Sequence, residues 1–183
     1  MDVNMRPARV DDAPALARVH VDSWRAAYRR LVPDLSLQRF TYQWREECFR
    51  QALATGTEET YVVQLDEEVV GILTVGAARD ADLDVNCTGE IWGIYISPEY
   101  WRKGIGSRLV EEAERMLKSR GYENAILWVL EGNQQARGFY EAMGFSPDGE
   151  SKVIDWGTPL KAVRYRKALH PIEGTGCESG AQV

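Results

Sequence analysis

Apolar and polar positions alternate along this chain in a pattern that predicts a mixed α/β fold. Short runs rich in β-branched and aromatic residues indicate strands, and apolar residues at three- and four-residue spacing indicate helices. Strands are predicted at 3–8, 60–65, 69–75, 90–96, 125–130, 153–156 and 162–166. Helices are predicted at about 12–29, 36–54, 105–120 and 133–143. The resulting order, β-α-α-β-β-β-α-β-α-β-β, indicates an α/β domain.

The strongest local signal lies in residues 90–110. Residues 90–96 consist mainly of Ile, Trp and Tyr, which is typical of a strand buried on both faces. From Ile105 the apolar residues fall on one helical face, and Gly121 ends the predicted helix. The turn between strand and helix contains Arg102, Lys103, Gly104 and Gly106. Because the glycines permit close approach of a ligand and a helix N-terminus offers unpaired N–H groups, the turn predicts a cradle for a pyrophosphate.

Two other glycine-rich phosphate loops do not fit this turn. A P-loop needs Lys and then Ser or Thr after its last glycine, whereas Ser107 and Arg108 follow Gly106. A dinucleotide-binding loop needs a third glycine, where Leu109 stands. A glycine pair after a strand is equally compatible with a structural turn, so a second motif has to decide.

That second motif lies in residues 133–145, which read NQQARGFYEAMGF. The segment resembles, at every fixed position, the pattern N-x-x-A-x-x-[F/L]-Y-x-x-x-G-F of the Gcn5-related N-acetyltransferase (GNAT) superfamily. The pyrophosphate loop of that superfamily, [Q/R]-x-x-G-x-[G/A], also matches residues 101–106 except at Trp101. Trp101 replaces the Gln or Arg side chain at the start of the loop, but the backbone N–H groups of the turn remain available to bind an anion. Two motifs in their predicted structural contexts identify the chain as a member of this superfamily.

The resemblance implies the fold and the domain organisation. It covers about residues 5–169 and implies one N-acetyltransferase domain over 1–169, followed by a tail, 170–183, that we expect to be disordered. The expected acyl-CoA N-acyltransferase fold is a mixed, mostly antiparallel sheet of six or seven strands flanked by about four helices. Its central strands, here 90–96 and 125–130, splay apart, and coenzyme A enters the V-shaped opening.

The resemblance also implies the residues that bind the co-substrate acetyl-CoA, and it implies no metal. The N–H of Ile94 would polarise the acetyl carbonyl, and the main chain of Ile96 would pair with the pantetheine arm as a pseudo-strand. Asn133, which also reads as a helix cap, would contact pantetheine. The predicted coenzyme-binding residues are Ile94, Tyr95, Ile96, Arg102, Lys103, Gly104, Ile105, Gly106, Ser107, Asn133, Ala136 and Phe139.

Acetyl transfer to an amine requires a base and an acid. An amine like that of lysine has a pKa of about 10.4, so it must lose a proton before it attacks. Glu90 lies at the same offset from the loop as the general base of the histone acetyltransferases in the superfamily, and Tyr140 matches the acid that protonates the thiolate. Without the resemblance, Glu90 reads as a solvated carboxylate and Tyr140 as a core tyrosine. We predict direct attack in a ternary complex, with Glu90 as base, directly or through water, and Tyr140 as acid.

The predicted acceptor is a primary amine, either a small molecule or a protein amine. Trp24, Tyr28 and Trp92 are candidate contacts to it, and Trp44 is a further aromatic on the second helix. Aromatic residues at helical spacing are more often core residues. The identity of the amine, the acyl-chain preference and the choice between monomer and homodimer are not determined by these patterns.

Composition excludes several other classes of protein. A net charge of −6 argues against nucleic acid as a partner and is compatible with a cationic amine. Three cysteines without a C-x-x-C pair, together with two histidines, indicate neither a disulfide framework nor a zinc site. No apolar run approaches the roughly 20 residues that span a bilayer, and no leader opens the chain. We therefore expect a cytoplasmic protein with no membrane partner.

Four alternatives remain at this level. The same fold could serve as a non-catalytic acyl-CoA sensor, or the glycine turn could bind a nucleotide, although the Lys-[ST] pair is missing. Cys87 could form an acetyl-enzyme, but no histidine is near it in sequence. Residues 80–84 carry aspartates at alternate positions like a calcium loop, but Val85 and Ile91 stand where that loop needs Gly and Glu, which favours a solvated loop.

Overall fold

A computed structural model of the protein describes residues 3–169, so the predicted tail lies outside the described residues. The strands are β1 (Val3–Pro7), β2 (Glu59–Leu65), β3 (Glu68–Ala77), β4 (Thr88–Ile96), β5 (Asn124–Leu130), β6 (Ser146–Asp155) and β7 (Pro159–Ala168). The helices are α1 (Ala13–Tyr28), α2 (Asp34–Arg39), α3 (Tyr42–Thr55), α4 (Ile105–Ser119) and α5 (Gln134–Ala142). No helix within 3–169 is both long and apolar enough to cross a membrane.

The strands form one seven-stranded sheet in the order β1-β2-β3-β4-β5-β7-β6. Every neighbouring pair is antiparallel except β4 and β5, which are parallel. The crossover from β4 to β5 runs through α4, as a parallel pair requires. The predicted mixed, mostly antiparallel sheet is therefore confirmed.

The pairing of the parallel strands β4 and β5 ends well before either strand does. Thr88, Gly89 and Glu90 pair with Asn124, Ala125 and Ile126, and no pairing is recorded beyond them. Both strands continue, β4 to Ile96 and β5 to Leu130. The predicted splay of the central strands is thus confirmed, and it begins directly after Glu90.

A β-bulge lies in β4 just past the point where the strands part. Gly93 pairs with Thr74 of β3 and Ile91 with Val75, so Trp92 is the extra residue. The bulge breaks the normal alternation of side chains: Ile91 and Ile94, three residues apart, both pack against the same core cluster with Val110. As a result, the residues between them face away from that cluster.

The two faces of the sheet have separate apolar cores. On one face α4 contributes Val110, Ala113 and Leu117, which pack against Leu127 and Val129 of β5. On the other face Leu16 and Val19 of α1 and Phe49 of α3 pack against Val62 and Ile72. Both faces are covered by helices, so the edges of the V-shaped opening lie between two packed layers.

The single helix predicted at 36–54 is wrong. The chain forms α2 and α3 instead, because Phe40 leaves the helical conformation (φ −84°, ψ 85°) and its ring packs on Trp24 at 4.2 Å between centroids. The Thr41 hydroxyl then accepts a hydrogen bond from the Trp44 N–H (3.2 Å) and caps α3. Residues 3–169 therefore contain five α-helices where four were predicted.

Two smaller differences have local causes. An aspartate directly before a helix commonly caps it, but Asp12 does not cap α1. Its carboxylate instead binds the Arg6 guanidinium through two 2.8 Å contacts and the Arg9 N–H at 2.7 Å. Strand β6 is much longer than the predicted 153–156. The prediction was too short because β6 is an exposed edge strand, and its sequence lacks the apolar alternation that marks a buried face.

Candidate active site

A cleft of about 640 Å³ occupies the opening between β4 and β5. Residues 91–96 of β4 form one wall, Leu127, Trp128 and Val129 of β5 the other, and α1, α5 and the turn before α4 close it. At one end lies the turn 101–107. We call the part lined by Ser23, Trp24, Tyr28, Trp92 and Trp128 the acceptor end, because it contains the predicted acceptor contacts Trp24, Tyr28 and Trp92.

The turn before α4 has the backbone geometry expected of an anion cradle. Gly104 is the N-cap of α4 with φ +81°, and Arg102 also has a positive φ of 59°. A Cβ at Gly104 would meet no atom within 4 Å, so backbone conformation and not space accounts for a glycine here. The turn leaves the first N–H groups of α4 beside the cleft, where they can bind an anion.

Gly106 serves a different purpose in the same turn. A Cβ at this position would lie 3.2 Å from Cζ of Phe139 and 3.6 Å from Cδ1 of Ile96. The glycine therefore permits the first turn of α4 to approach both α5 and β4. This close packing keeps the N-terminus of α4 at the cleft wall.

Trp101 stands where the superfamily pattern has Gln or Arg. Its indole Nε1–H donates a 2.6 Å hydrogen bond to the carbonyl oxygen of Ile96. The side chain that departs from the pattern thus ties the turn to the end of β4. It also occupies the Ile96 carbonyl, so the predicted pairing of the Ile96 main chain with pantetheine would use its N–H or require this bond to open.

Tyr140 lines the cleft from α5. The helix is fixed in place by Tyr165 of β7, whose hydroxyl accepts from Arg137 Nε (2.9 Å) and donates to Glu141 (2.7 Å). Burial, with smaller contributions from Tyr28 and Tyr95, raises the pKa of Tyr140 above its usual value. The phenol is therefore protonated at neutral pH and available as a proton donor.

Glu90 occupies a different environment from the one predicted. It is 2% exposed, it is not among the residues that line the cleft, and it is not solvated. Arg79 binds both of its oxygens, with Nη2 at 2.5 Å and Nε at 3.1 Å, and the Arg79 backbone N–H adds a third bond at 3.1 Å. A carboxylate held in this way cannot contact an amine in the cleft directly.

The acceptor end is formed by aromatic side chains. Trp24 packs on Tyr28 (5.4 Å) and Trp156 (5.3 Å) and is both a core and a cleft residue. Burial raises the pKa of Tyr28, and the nearby Asn133 side chain opposes this rise to a smaller extent. Trp44 does not line the cleft and is 48% exposed.

A charge network around the buried Arg164 supports this end of the cleft. Arg164 of β7 binds Asp80 (3.3 Å), Asp82 (2.8 Å) and Asp148 (2.6 Å), and Asp80 accepts from the Trp128 indole N–H at 2.9 Å. Most of the loop around 80–84 is exposed, as expected, but Asp80 and Asp82 connect it to β5 and β7. No cluster of metal ligands is found within 3–169.

His20 and Gly93 were not singled out from the sequence. The ring of His20 lies 4.2 Å from that of Tyr95, and its Nδ1 has no hydrogen-bond partner in the described part of the chain. Burial lowers the pKa of His20, and Arg45 lowers it further. A Cβ at Gly93 would lie 2.6 Å from the Tyr95 ring, so this glycine lets Tyr95 lean back along β4.

Most predicted coenzyme residues line the cleft, but their binding roles remain predictions. Ile105 and Lys103 do not line it: Ile105 is buried beside Leu109, and the Lys103 ammonium lies 4.9 Å over the Tyr100 ring. Asn133 caps α5 as predicted, accepting from the Ala136 N–H at 3.1 Å. Cys87 is not a free thiol, which removes the basis for an acetyl-cysteine intermediate.

Trp128 is the main cleft residue that sequence reasoning missed. It stands on β5 two positions past Ile126, the last residue paired with β4. One signal in the sequence could have identified it: Trp128 is a tryptophan, with a polar indole N–H, among aliphatic residues of a strand that was predicted to splay. The partners that orient it, Asp80 and Arg164, are distant in sequence and gave no signal.

Comparison with known proteins supports the resemblance to the N-acetyltransferases. The model of the acetyltransferase (GNAT) family matches residues 22–145. The chain is 31% identical over 167 residues to the uncharacterized N-acetyltransferase YuaI of Bacillus subtilis (strain 168), covering 90% of each chain. It is 25% identical over 165 residues to the spermidine N(1)-acetyltransferase of Thermoplasma acidophilum, covering 85% of this chain and 97% of the relative.

A solved structure shows the same fold. The PaiA N-acetyltransferase of Thermoplasma acidophilum, crystallised in complex with coenzyme A, superposes with a TM-score of 0.72 at 20% identity, covering 92% of this chain and 99% of that chain. The family match and the YuaI relationship establish that this chain belongs to the GNAT family of acetyltransferases.

We predict that Gly106→Val weakens coenzyme A binding by about tenfold or more, because the new side chain would push α4 away from Phe139 and Ile96 and displace its N–H groups. Isothermal titration calorimetry with coenzyme A measures the change. Gly138→Ala on α5, where a Cβ meets nothing within 4 Å, is the matched control and should leave the affinity unchanged. Equal affinities for wild type and Gly106→Val would contradict the cradle.

Proposed function

We propose that this protein is an acetyl-CoA-dependent N-acetyltransferase that acts on a primary amine by direct transfer in a ternary complex. The observation that carries the proposal is the cleft between β4 and β5, which joins an anion cradle at one end to an aromatic pocket at the other, with Tyr140 on its wall. One continuous cleft of this kind permits both substrates to be bound at once, so no acetylated enzyme intermediate is required.

The described residues fit coenzyme A. The N-terminus of α4, with Arg102 beside it, suits the diphosphate, and the unpaired stretch of β4 beyond Glu90 suits an extended, amide-containing arm. Acetyl-CoA supplies an activated acyl thioester. The protein's part is to hold the carbonyl beside β4, provide hydrogen bonds to the developing oxyanion and manage two protons.

Tyr140 is the proposed general acid. It lies in the cleft, its pKa is raised by burial, and no hydrogen bond from its hydroxyl to another residue is recorded within 3–169. A protonated phenol without a competing acceptor is free to donate to a leaving thiolate. The helix that carries it is anchored at Arg137 and Glu141, on either side of the tyrosine.

Glu90 is the proposed proton acceptor, acting through water. It is the last residue of β4 paired with β5, so its carboxylate lies at the apex of the opening. Its bonds to Arg79 hold the carboxylate in place and prevent direct contact with the amine. A water chain from the acceptor end to this apex would carry the proton while Arg79 remains in place.

The catalytic proposal predicts that the protein releases free thiol from acetyl-CoA only when a suitable amine is present. Thiol release is followed with a thiol-reactive dye across a panel of primary amines, and the acetylated product is identified by mass spectrometry. A sensor of the same fold would bind coenzyme A in calorimetry and release no thiol with any amine.

Tyr140→Phe should lower kcat by about 100-fold while leaving the KM for acetyl-CoA within about twofold, because general acid catalysis contributes on this scale and the ring still fills its place. Steady-state kinetics at saturating amine tests this. Tyr122→Phe, which changes a tyrosine packed against the core away from the cleft, is the control. A parallel loss of kcat and acetyl-CoA affinity would assign Tyr140 to packing alone.

Glu90→Gln should reduce kcat by about tenfold or more, because an amide cannot take up the proton that the amine loses through water. The amide oxygen can still accept from Arg79. Steady-state kinetics at saturating amine measures the change. Glu131→Gln, at an exposed ion pair with Lys161, is the control, and an unchanged kcat in Glu90→Gln would exclude Glu90.

A further inference from the structure

We infer that the acceptor amine is carried on an aromatic or apolar group and has no second positive charge. This inference rests on the proposed acetyl transfer and adds the class of acceptor to it. It follows from three features of the acceptor end: which side chains line it, what lies over its indoles, and where the nearby carboxylates are bound.

No carboxylate is available to a cation in the cleft. Among the described residues, the side chains that line it include no Asp or Glu, and Arg102, at the opposite end, is the one charged residue. The acceptor end offers three indoles, one phenol and the Ser23 hydroxyl. Burying a second ammonium group there would remove its water without providing an ionic partner, which is unfavourable.

The indoles of the two splayed strands already bind cations of the chain itself. The Arg79 guanidinium carbon lies 4.3 Å from the ring centroid of Trp92, and Lys152 Nζ lies 3.8 Å from that of Trp128. An indole that interacts with one cation attracts a second less strongly, because the two positive charges repel each other through a medium of low dielectric. Trp92 and Trp128 therefore suit an apolar or aromatic group and not a second ammonium.

Four carboxylates near this end are held by arginines. Glu90 binds Arg79, and Asp82 and Asp148 bind Arg164, which also contacts Asp80. Asp80 in addition accepts from the Trp128 indole and lies 3.9 Å from Lys152 Nζ. Asp80 and Arg79 contact Trp128 and Trp92 and help to orient the two indoles. The four carboxylates cannot turn toward a polycationic substrate without breaking their bonds to the arginines.

The class of acceptor that fits is an alkylamine or arylalkylamine with a single amine. Its apolar part would lie between Trp92 and Trp128, with Trp24 and Tyr28 closing the other side. The amine would then attack the thioester carbonyl: the N–C bond forms, the C–S bond breaks, one proton leaves the nitrogen and one joins the departing thiolate. A polyamine, the substrate named for the Thermoplasma relative, is disfavoured by the same contacts.

The test uses the full-length wild-type enzyme and two matched pairs of amines. Pentylamine and cadaverine differ by one terminal ammonium group, and phenethylamine and ethylamine differ by one phenyl ring. We expect kcat/KM to be at least about tenfold higher for pentylamine than for cadaverine, and for phenethylamine than for ethylamine. Thiol release measures all four under identical conditions.

Two lysine variants test the role of the cation over Trp128. Lys152→Gln should lower the preference for pentylamine over cadaverine by about threefold or more, because it removes the charge that competes with a second ammonium. The KM for acetyl-CoA should not change. Lys161→Gln is the matched control, since Lys161 pairs with Glu131 and contacts neither indole, and it should keep the wild-type preference.

The outcomes separate this inference from the proposed function. Turnover of cadaverine or spermidine at least as efficient as that of pentylamine would overturn the inference and leave the acetyltransferase proposal intact. An unchanged preference in Lys152→Gln would also count against it. If coenzyme A binds measurably but none of the amines tested gives thiol release, the proposed function and the inference are both overturned.

Discussion

The whole site depends on the early parting of two parallel strands. β4 and β5 are paired at only three positions, and each continues well past the last one. Unpaired main-chain groups inside a protein require partners, so an opening of this kind within a sheet is stable only where another chain-like group or specific side chains occupy it. The fold thus forms a cleft that suits an extended ligand with amide groups, bounded by packed helices on both faces.

Two further constraints determine where the reacting groups lie. The bulge at Trp92 lets Ile91 and Ile94 remain in one core while the residues between them face the other side of the sheet. The bonds of Arg137 and Glu141 to Tyr165 fix α5 on β7 and hold Tyr140 at the cleft. Trp92 and Tyr140 are thereby both placed at the wall of the same cleft.

Charge is arranged around the cleft in an unequal way. Arg102 stands at the turn before α4, where a diphosphate would lie, whereas the acceptor end has aromatic side chains with ion pairs behind them. The protein carries a net charge of −6, yet none of its described carboxylates lines the cleft. The net charge of the chain therefore does not describe the charge within the cleft, because four acidic groups near it are bound to Arg79 and Arg164.

The sequence by itself determined the features that depend on local pattern. The apolar runs of β4 and β5, the helical face of α4, the Asn133 cap and the two motifs around Gly104 and Tyr140 are contiguous signals, and they predicted the sheet, the splay and the family. Tertiary structure alone decided the partners of Glu90 and Trp128, which come from Arg79, Asp80 and Arg164. It also decided the bulge in β4 and the break at Phe40 and Thr41. The physical reason is that ion pairs, strand register and ring packing join residues far apart in the chain, and no period along the sequence records which of them meet.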